Sequence, residues 1–164
     1  MSNAQQPPVV WISGASRGIG RAIALMLGRD GGRIVVNYRQ DAEAAQAVAA
    51  EITAAGGEAL TLQADVTDPE AITAAYKQIE AAWGGVDQLV ANAGINLAMP
   101  IPLMSPEAWR NVLATNLDSA FYLTKAVSRG MVRRRSGRIV YLSSDAALMG
   151  DALHAAYRAS KAGI

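Results

Sequence analysis

An α/β domain, with a parallel sheet covered by helices on both faces, is the fold class that this sequence predicts. Three observations lead to it. Short apolar runs rich in Val, Ile and Leu alternate with longer alanine-rich stretches of helical composition, the pattern of strands buried on both sides. A glycine-rich turn joins the first apolar run to the first helical stretch. With 164 residues, 51% hydrophobic and 18% charged, the chain has the size and composition of one globular domain.

The elements follow in order. Residues 9–13, Val-Val-Trp-Ile-Ser, read as a buried strand ended by Gly14, with a helix over 17–29. Gly31 and Gly32 break the chain before a second strand at 33–37, and a helix over 41–55 stops at Gly56-Gly57. A third strand is expected at 59–64. Asp68-Pro69-Glu70 has the form of a cap with proline at the first helical position, opening a helix that runs to Trp83 and halts at Gly84-Gly85. Strands four and five are expected at 86–91 and 138–142. Two helical segments lie between them, at 106–115 and 117–135, and a last helix starts near His154. Residues 1–8 are polar and proline-bearing and read as a disordered leader ahead of a single domain over 9–164. The chain stops a few residues into its last helix, leaving the fifth strand as an open apolar edge; an incomplete sequence is expected.

Composition excludes several functions. Fifteen basic residues against fourteen acidic ones create no field that would recruit nucleic acid or an anionic membrane. The absence of cysteine removes thiol nucleophiles and thiolate metal sites, and one histidine, His154, rules out a multi-histidine metal centre. No run approaches the roughly 18 consecutive apolar residues of a spanning helix, and the start lacks the pattern of a secretory signal. A cytoplasmic protein is expected.

The turn Gly14-Ala15-Ser16-Arg17-Gly18-Ile19-Gly20 has the spacing G-x-x-x-G-x-G. Gly14 permits a tight turn, Gly18 allows close approach of a pyrophosphate to the backbone, and Gly20 lets the helix pack on the strand. The helix N-terminus then presents free N–H groups to phosphates. A carboxylate at the end of the second strand would select NAD, whereas a basic residue accommodates the 2′-phosphate of NADP. Here the strand ends Asn37-Tyr38-Arg39. With Arg17 in the turn, two guanidiniums favour NADP(H), although Asp41 stands close by.

Tyr157 and Lys161 are four apart, hence one turn apart on one face of the last helix. A phenol near pKa 10 is a poor proton donor at neutral pH, and a nearby ammonium stabilises its anion.

Six features occur in sequence: 13–20, Ser-Gly-Ala-Ser-Arg-Gly-Ile-Gly; Asp65-Val66; Asn92-Ala93-Gly94; Asn116; Ser143-Ser144; and Tyr157-x-x-x-Lys161. Together they resemble the short-chain dehydrogenases/reductases from residue 9 to 164. The runs 137–140 and 157–163 are most similar to the 3-oxoacyl-[acyl-carrier-protein] reductase branch. The resemblance implies a doubly wound, Rossmann-type sheet of order 3-2-1-4-5, with further C-terminal strands in a complete member. It also implies NADPH-dependent reduction of a 3-oxoacyl thioester in fatty acid biosynthesis, by a homo-oligomer (dimer or tetramer). Tyr157 would donate the proton. Lys161 would lower the tyrosine pKa and hold the nicotinamide ribose, Ser144 would orient the carbonyl, and Asn116 would anchor a water serving Lys161. Asn92, Ala93 and Gly94 would floor the cofactor, and Asp65 and Val66 would meet the adenine; Gly14, Ser16, Arg17, Gly18, Ile19, Gly20 and Arg39 complete its site.

Alternatives stay open. Another ketone or alcohol could be the substrate: acetoacetyl-CoA, a sugar or a steroid. Outside the enzymes, a non-catalytic nucleotide-binding fragment is the competing reading. Ser143-Ser144 could terminate a strand, Asn92-Ala93-Gly94 could be a turn, and Asn116 could be a helix N-cap. Arg129, Arg133, Arg134, Arg135 and Arg138 form a basic cluster. It is either a solvated helix end complementing the dipole or, by the resemblance, a dock for the acidic carrier protein centred on Arg135. His154 reads as a helix-start residue without chemistry. Asp145 and Arg158 depart from the family's pattern and bear on the substrate.

Overall fold

In a computed structural model describing residues 6–164, five parallel strands form one sheet of order β3-β2-β1-β4-β5. They are β1 (Val9–Ile12), β2 (Arg33–Tyr38), β3 (Glu58–Gln63), β4 (Gln88–Ala91) and β5 (Arg138–Tyr141). The helices between them are α1 (Gly18–Arg29), α2 (Ala42–Ala54), α3 (Pro69–Trp83), α4 (Pro106–Leu113) and α5 (Ser119–Arg134), with α6 (Ala155–Gly163) last. Of the leader expected at residues 1–8, residues 1–5 lie outside the described residues; the carbonyls of Pro7 and Pro8 accept from Nε (3.1 Å) and N (2.9 Å) of Arg33. No helix among the described residues is long and apolar enough to cross a membrane.

Alternation along the strands explains the two-sided core. Val9, Trp11 and Val35 face Ile72, Ile79, Leu123 and Val127 of α3 and α5. Val10, Ile12, Ile34 and Val36 face Ala24, Ala45, Val48 and Ile52 of α1 and α2. Successive side chains leave a strand on opposite faces, so the central β1 is buried at every position and reads as a continuous apolar run.

Boundaries fall where side chains intervene. Asp68 caps α3 as expected, its carboxylate accepting from Glu70 N and Ala71 N, and Asp41 caps α2 through Ala44 N at 2.9 Å. The fourth strand begins two residues later than expected. Asp87, just before it, holds Val9 by both backbone and carboxylate: its N donates to Val9 O, and Oδ2 accepts from Val9 N, each at 2.9 Å. The outer strands β3 and β5 are less buried than continuous apolar runs suggest, because each sits at a sheet edge.

The two segments expected at 106–115 and 117–135 are instead one continuous rod. A π-helical turn, Ala114–Asp118, joins α4 to α5. Asn116 therefore sits within a helix and is no N-cap. The wide turn, a feature that recurs at functional sites, brings Asn116 inward, where it is 3% exposed.

Candidate active site

A cleft of about 410 Å³ opens at the C-terminal ends of the central strands. β1 is flanked by β2 on one side and β4 on the other, so the chain leaves the sheet in opposite directions on its two sides. That is the switch point where open α/β sheets bind ligands. One wall is the turn 14–19. Another is the end of β2 through Asp41, and the others come from residues 64–66, 92–95 and Thr115.

Local physics shapes the turn. Gly14 (φ +64°) and Gly18 (φ +57°) adopt the left-handed conformation that glycine reaches without cost. At Gly20 space decides: a Cβ there would run into Gly14 O and Asn92 Nδ2. The Asn92 amide donates to the carbonyls of Ser13 (2.9 Å) and Gly14 (3.1 Å), while Ser13 Oγ accepts from the backbone N of Asn92 and Ala93, each at 3.0 Å. The 92–94 segment thus floors the cleft and braces the glycine turn at the same time.

At the other end, Asn37 is buried in β2 and its amide donates to Leu62 O and Ala64 O. Asp65 Oδ1 accepts from Thr67 N and Oγ1, and its Oδ2 lies 3.8 Å from Arg39 Nη1. Arg39 therefore meets a carboxylate rather than standing alone, although both side chains are well exposed and the pair is weak. Asp41, close enough to contest the cofactor reading, uses its carboxylate in the α2 cap. Arg17 stands exposed at the start of α1.

The Tyr-Lys helix adjoins the inner end of the cleft without lining it. Asn116 makes the junction: Oδ1 accepts from Ile95 N at 2.8 Å, and Nδ2 donates to Ile95 O (2.9 Å) and Ser160 Oγ (3.0 Å). Ser160 lies between Tyr157 and Lys161, donating to Tyr157 O at 2.6 Å. Lys161 is 7% exposed; its Nζ lies 5.8 Å from the Tyr157 ring centroid and donates to Leu142 O at the end of β5. Burial pushes its pKa below the ordinary lysine value. Ser143 donates to Lys161 O at 2.8 Å. Ser144 opens the short 3₁₀ turn Asp145–Ala147, its Oγ accepting from Ala146 N and facing Asp145 Oδ1 at 3.1 Å. Among the described residues neither Ser144 nor Lys161 bonds the Tyr157 hydroxyl.

Eleven of the expected cofactor residues, including Ser16, Ile19, Val66 and Gly94, line the cleft; Gly20 packs beneath it, and Tyr157 and Lys161 stand beyond its inner end. The sequence assigned no role to Asn37, Thr115 and Ser160, and none to Ser13 beyond its place in the 13–20 motif. An asparagine inside an apolar strand was the one signal available for Asn37. In the basic cluster, Arg134 is structural, donating to Val86 O at 2.6 Å and facing Asp87. Arg135 is exposed at the end of α5.

Comparison with known proteins agrees with this geometry. The family model described as short chain dehydrogenase matches residues 8–164. A 3-oxoacyl-[acyl-carrier-protein] reductase of Synechocystis sp. is 44% identical over 95% of the chain, which spans 63% of that relative. A reductase of the same name from Staphylococcus aureus is 40% identical over 93% of the chain and 62% of its own length. Among solved structures, a metagenomic short-chain oxidoreductase in complex with NADP superposes with TM-score 0.91 at 41% identity, over 95% of this chain and 71% of that one. A putative short-chain alcohol dehydrogenase from Sinorhizobium meliloti gives TM-score 0.91 at 33% identity, over 97% and 63%. The chain spans less than two thirds of the curated relatives it matches. Sheet order, glycine turn and family model agree: this chain belongs to the short chain dehydrogenase family.

Proposed function

We propose that this chain forms the NADPH-binding and proton-donating part of a reductase acting on a 3-oxoacyl thioester. The observation that carries the reading is the junction at Asn116, which ties the wall of the glycine-turn cleft to the helix bearing Tyr157 and Lys161.

The cleft suits a dinucleotide. Asn37 Oδ1 and Thr115 Oγ1 are buried without a protein partner, and both residues line it; buried polar atoms rarely stay unpaired, so a bound group would complete them. The turn would hold the diphosphate at the N-terminus of α1. Arg17 and Arg39 supply guanidiniums for a 2′-phosphate, Asp41 is committed to its cap, and the metagenomic neighbour carries NADP. NADPH, when bound, supplies the hydride. Tyr157 gives its proton to the carbonyl oxygen, and the Lys161 ammonium stabilises the phenolate left behind. Ser144 hydrogen-bonds that oxygen and orients it. Lys161 then passes a proton to the phenolate and regains one through a water anchored at Asn116.

The names of the Synechocystis and Staphylococcus relatives support a 3-oxoacyl substrate carried on acyl carrier protein, with Arg135 as the docking cation. Association into a homo-oligomer is supported by Phe121 and Val132, which α5 leaves 61% and 75% exposed.

The test is NADPH oxidation with an acetoacetyl thioester by the parent and by Tyr157→Phe. Turnover should fall at least about a hundredfold in the variant, the usual worth of a positioned general acid. Equal turnover would remove the assigned proton donor.

A further inference from the structure

The loop between the 3₁₀ turn and α6 converges on one carboxylate that the chemistry above does not use. Asp151 Oδ1 accepts from Leu153 N (2.7 Å), His154 N (3.0 Å) and His154 Nδ1 (2.9 Å). Its Oδ2 lies 3.3 Å from Arg158 Nη1. Leu153 in turn accepts at its carbonyl from Met99 N at 2.7 Å. The loop after β4, the loop after β5 and the first turn of α6 therefore meet within three residues.

Three features give this cluster a purpose beyond local turn geometry. The Arg158 side chain is only 17% exposed, and a guanidinium largely withdrawn from water needs a counter-charge. Asp151 supplies one. Next, the N-cap position of α6 is His154, whose side chain makes no capping bond, so the clasp secures the start of the helix in place of a cap. Finally, the two side chains held by Asp151 bracket Tyr157, three residues before it and one after. Lys161 is separately fixed to Leu142 and Ser143, whereas Tyr157 stands in the first turn, where an unheld helix frays.

We propose that Asp151 is a positioning residue for the proton donor: by clasping His154 and Arg158 it fixes the first turn of α6, and hence the place of the Tyr157 hydroxyl. This rests on the reading of Tyr157 as the proton donor. A carboxylate only accepts, so Nδ1 of His154 carries the proton and Nε2 is left as the acceptor of the neutral ring. The clasp therefore has a spectroscopic signature independent of turnover. Its carboxyl is held down to about 2, chiefly by the Leu153 N–H and then by His154, so it is ionised wherever an enzyme would work.

The test compares Asp151→Asn, which keeps an acceptor for the backbone turn but loses the charge facing Arg158, with Arg158→Met, their double variant and the conservative Arg158→Lys. Misplacing a reacting group by about 1 Å can cost roughly a hundredfold, and a loosened first turn should cost about tenfold in kcat. The double variant should be no slower than either single one, because coupled residues do not add. Arg158→Lys should recover most of the rate. NADPH affinity should be unchanged, since the glycine turn is untouched. Nitrogen NMR of His154 should show the Nδ1–H tautomer in the parent and in Asp151→Asn, whose Oδ1 still accepts, and lose it in Asp151→Ala. Parent-like kcat in both single variants, or losses that multiply in the double one, would overturn the positioning role. Turnover that survives Tyr157→Phe would instead sink the proton-donor reading, and the His154 tautomer separates the two failures.

Discussion

Gly20 shows how a single hydrogen atom can be the functional side chain. Its φ is not left-handed; what it requires is room, because any Cβ meets the Gly14 carbonyl and the Asn92 amide. These are the groups that lock the turn to β4, so Gly20→Ala must displace them. Overpacking of this kind costs about 1–3 kcal/mol, and here it also opens the turn proposed to hold the diphosphate. Gly31→Ala, away from the cleft, is the control. Nothing lies within 4 Å of its Cβ position, but its φ is +87°, so it bears only a left-handed backbone penalty of about 1–2 kcal/mol. Both variants should lose stability in chemical denaturation. NADPH titration should show a loss of affinity for Gly20→Ala alone; equal affinities would mean that the Asn92 brace does not shape the site. Spacing alone disclosed the three glycines of the turn. Spacing could not disclose the partners of Ser13, since its hydroxyl acquires them only when distant segments meet. Ser13 and Asn92 are 79 positions apart along the chain.

Elements were more legible than their joints. The cap at Asp68 and the proline after it place the start of α3 to within a residue, because capping is local chemistry. The π-turn at Ala114–Asp118 left no such mark: its cause is the bond from Asn116 to Ile95, which only the folded chain provides. The end of α5 carries a second departure from local preference. Arg135 has φ +52°, a position that usually falls to glycine. Arg135→Gly should therefore stabilise the protein by roughly 0.5–1 kcal/mol, the strain relieved less the extra chain entropy glycine releases. α5 has 16 residues, about 24 Å at 1.5 Å per residue, so Arg135 is remote from the Asn116 junction at its other end. If this cation receives a carrier protein, Arg135→Gly should raise KM for a carrier-borne substrate and leave a small thioester unaffected, in a protein no less stable. An unchanged KM for the carrier-borne substrate would confine Arg135 to the helix end.

For the whole molecule, the succession of short apolar runs and alanine-rich helical stretches was enough to anticipate a two-sided parallel sheet, while the order of strands came from motif resemblance rather than from hydropathy. The least legible property is how charge is distributed between folded and unfolded states. Asp68 and Asp151 both lie below their ordinary carboxyl value of 3.8, chiefly through backbone N–H donors, with Asp151 at about 2. A depressed carboxyl contributes stability above its unfolded value and loses it as pH falls through the folded one. The share of Asp151 should therefore disappear between 3.8 and about 2, and that of Asp68 as pH falls below 3.8. Lys161 works in the opposite sense. Burial lowers its pKa from 10.5, so the folded state disfavours the charged amine, and the penalty is full below the folded pKa and vanishes as pH rises toward 10.5. A residue proposed to serve Tyr157 thus costs the fold stability at neutral pH, the exchange often found at active sites. Lys161→Met removes the titration along with the function. Its stability relative to the parent, read from urea midpoints, should be most favourable near neutrality and shift toward the parent as pH approaches 10.5, while NADPH-dependent turnover is lost throughout. A stability difference that stays constant with pH would show that Lys161 titrates alike in the folded and unfolded chains, and that its burial against Leu142 places no strain on the charge it carries.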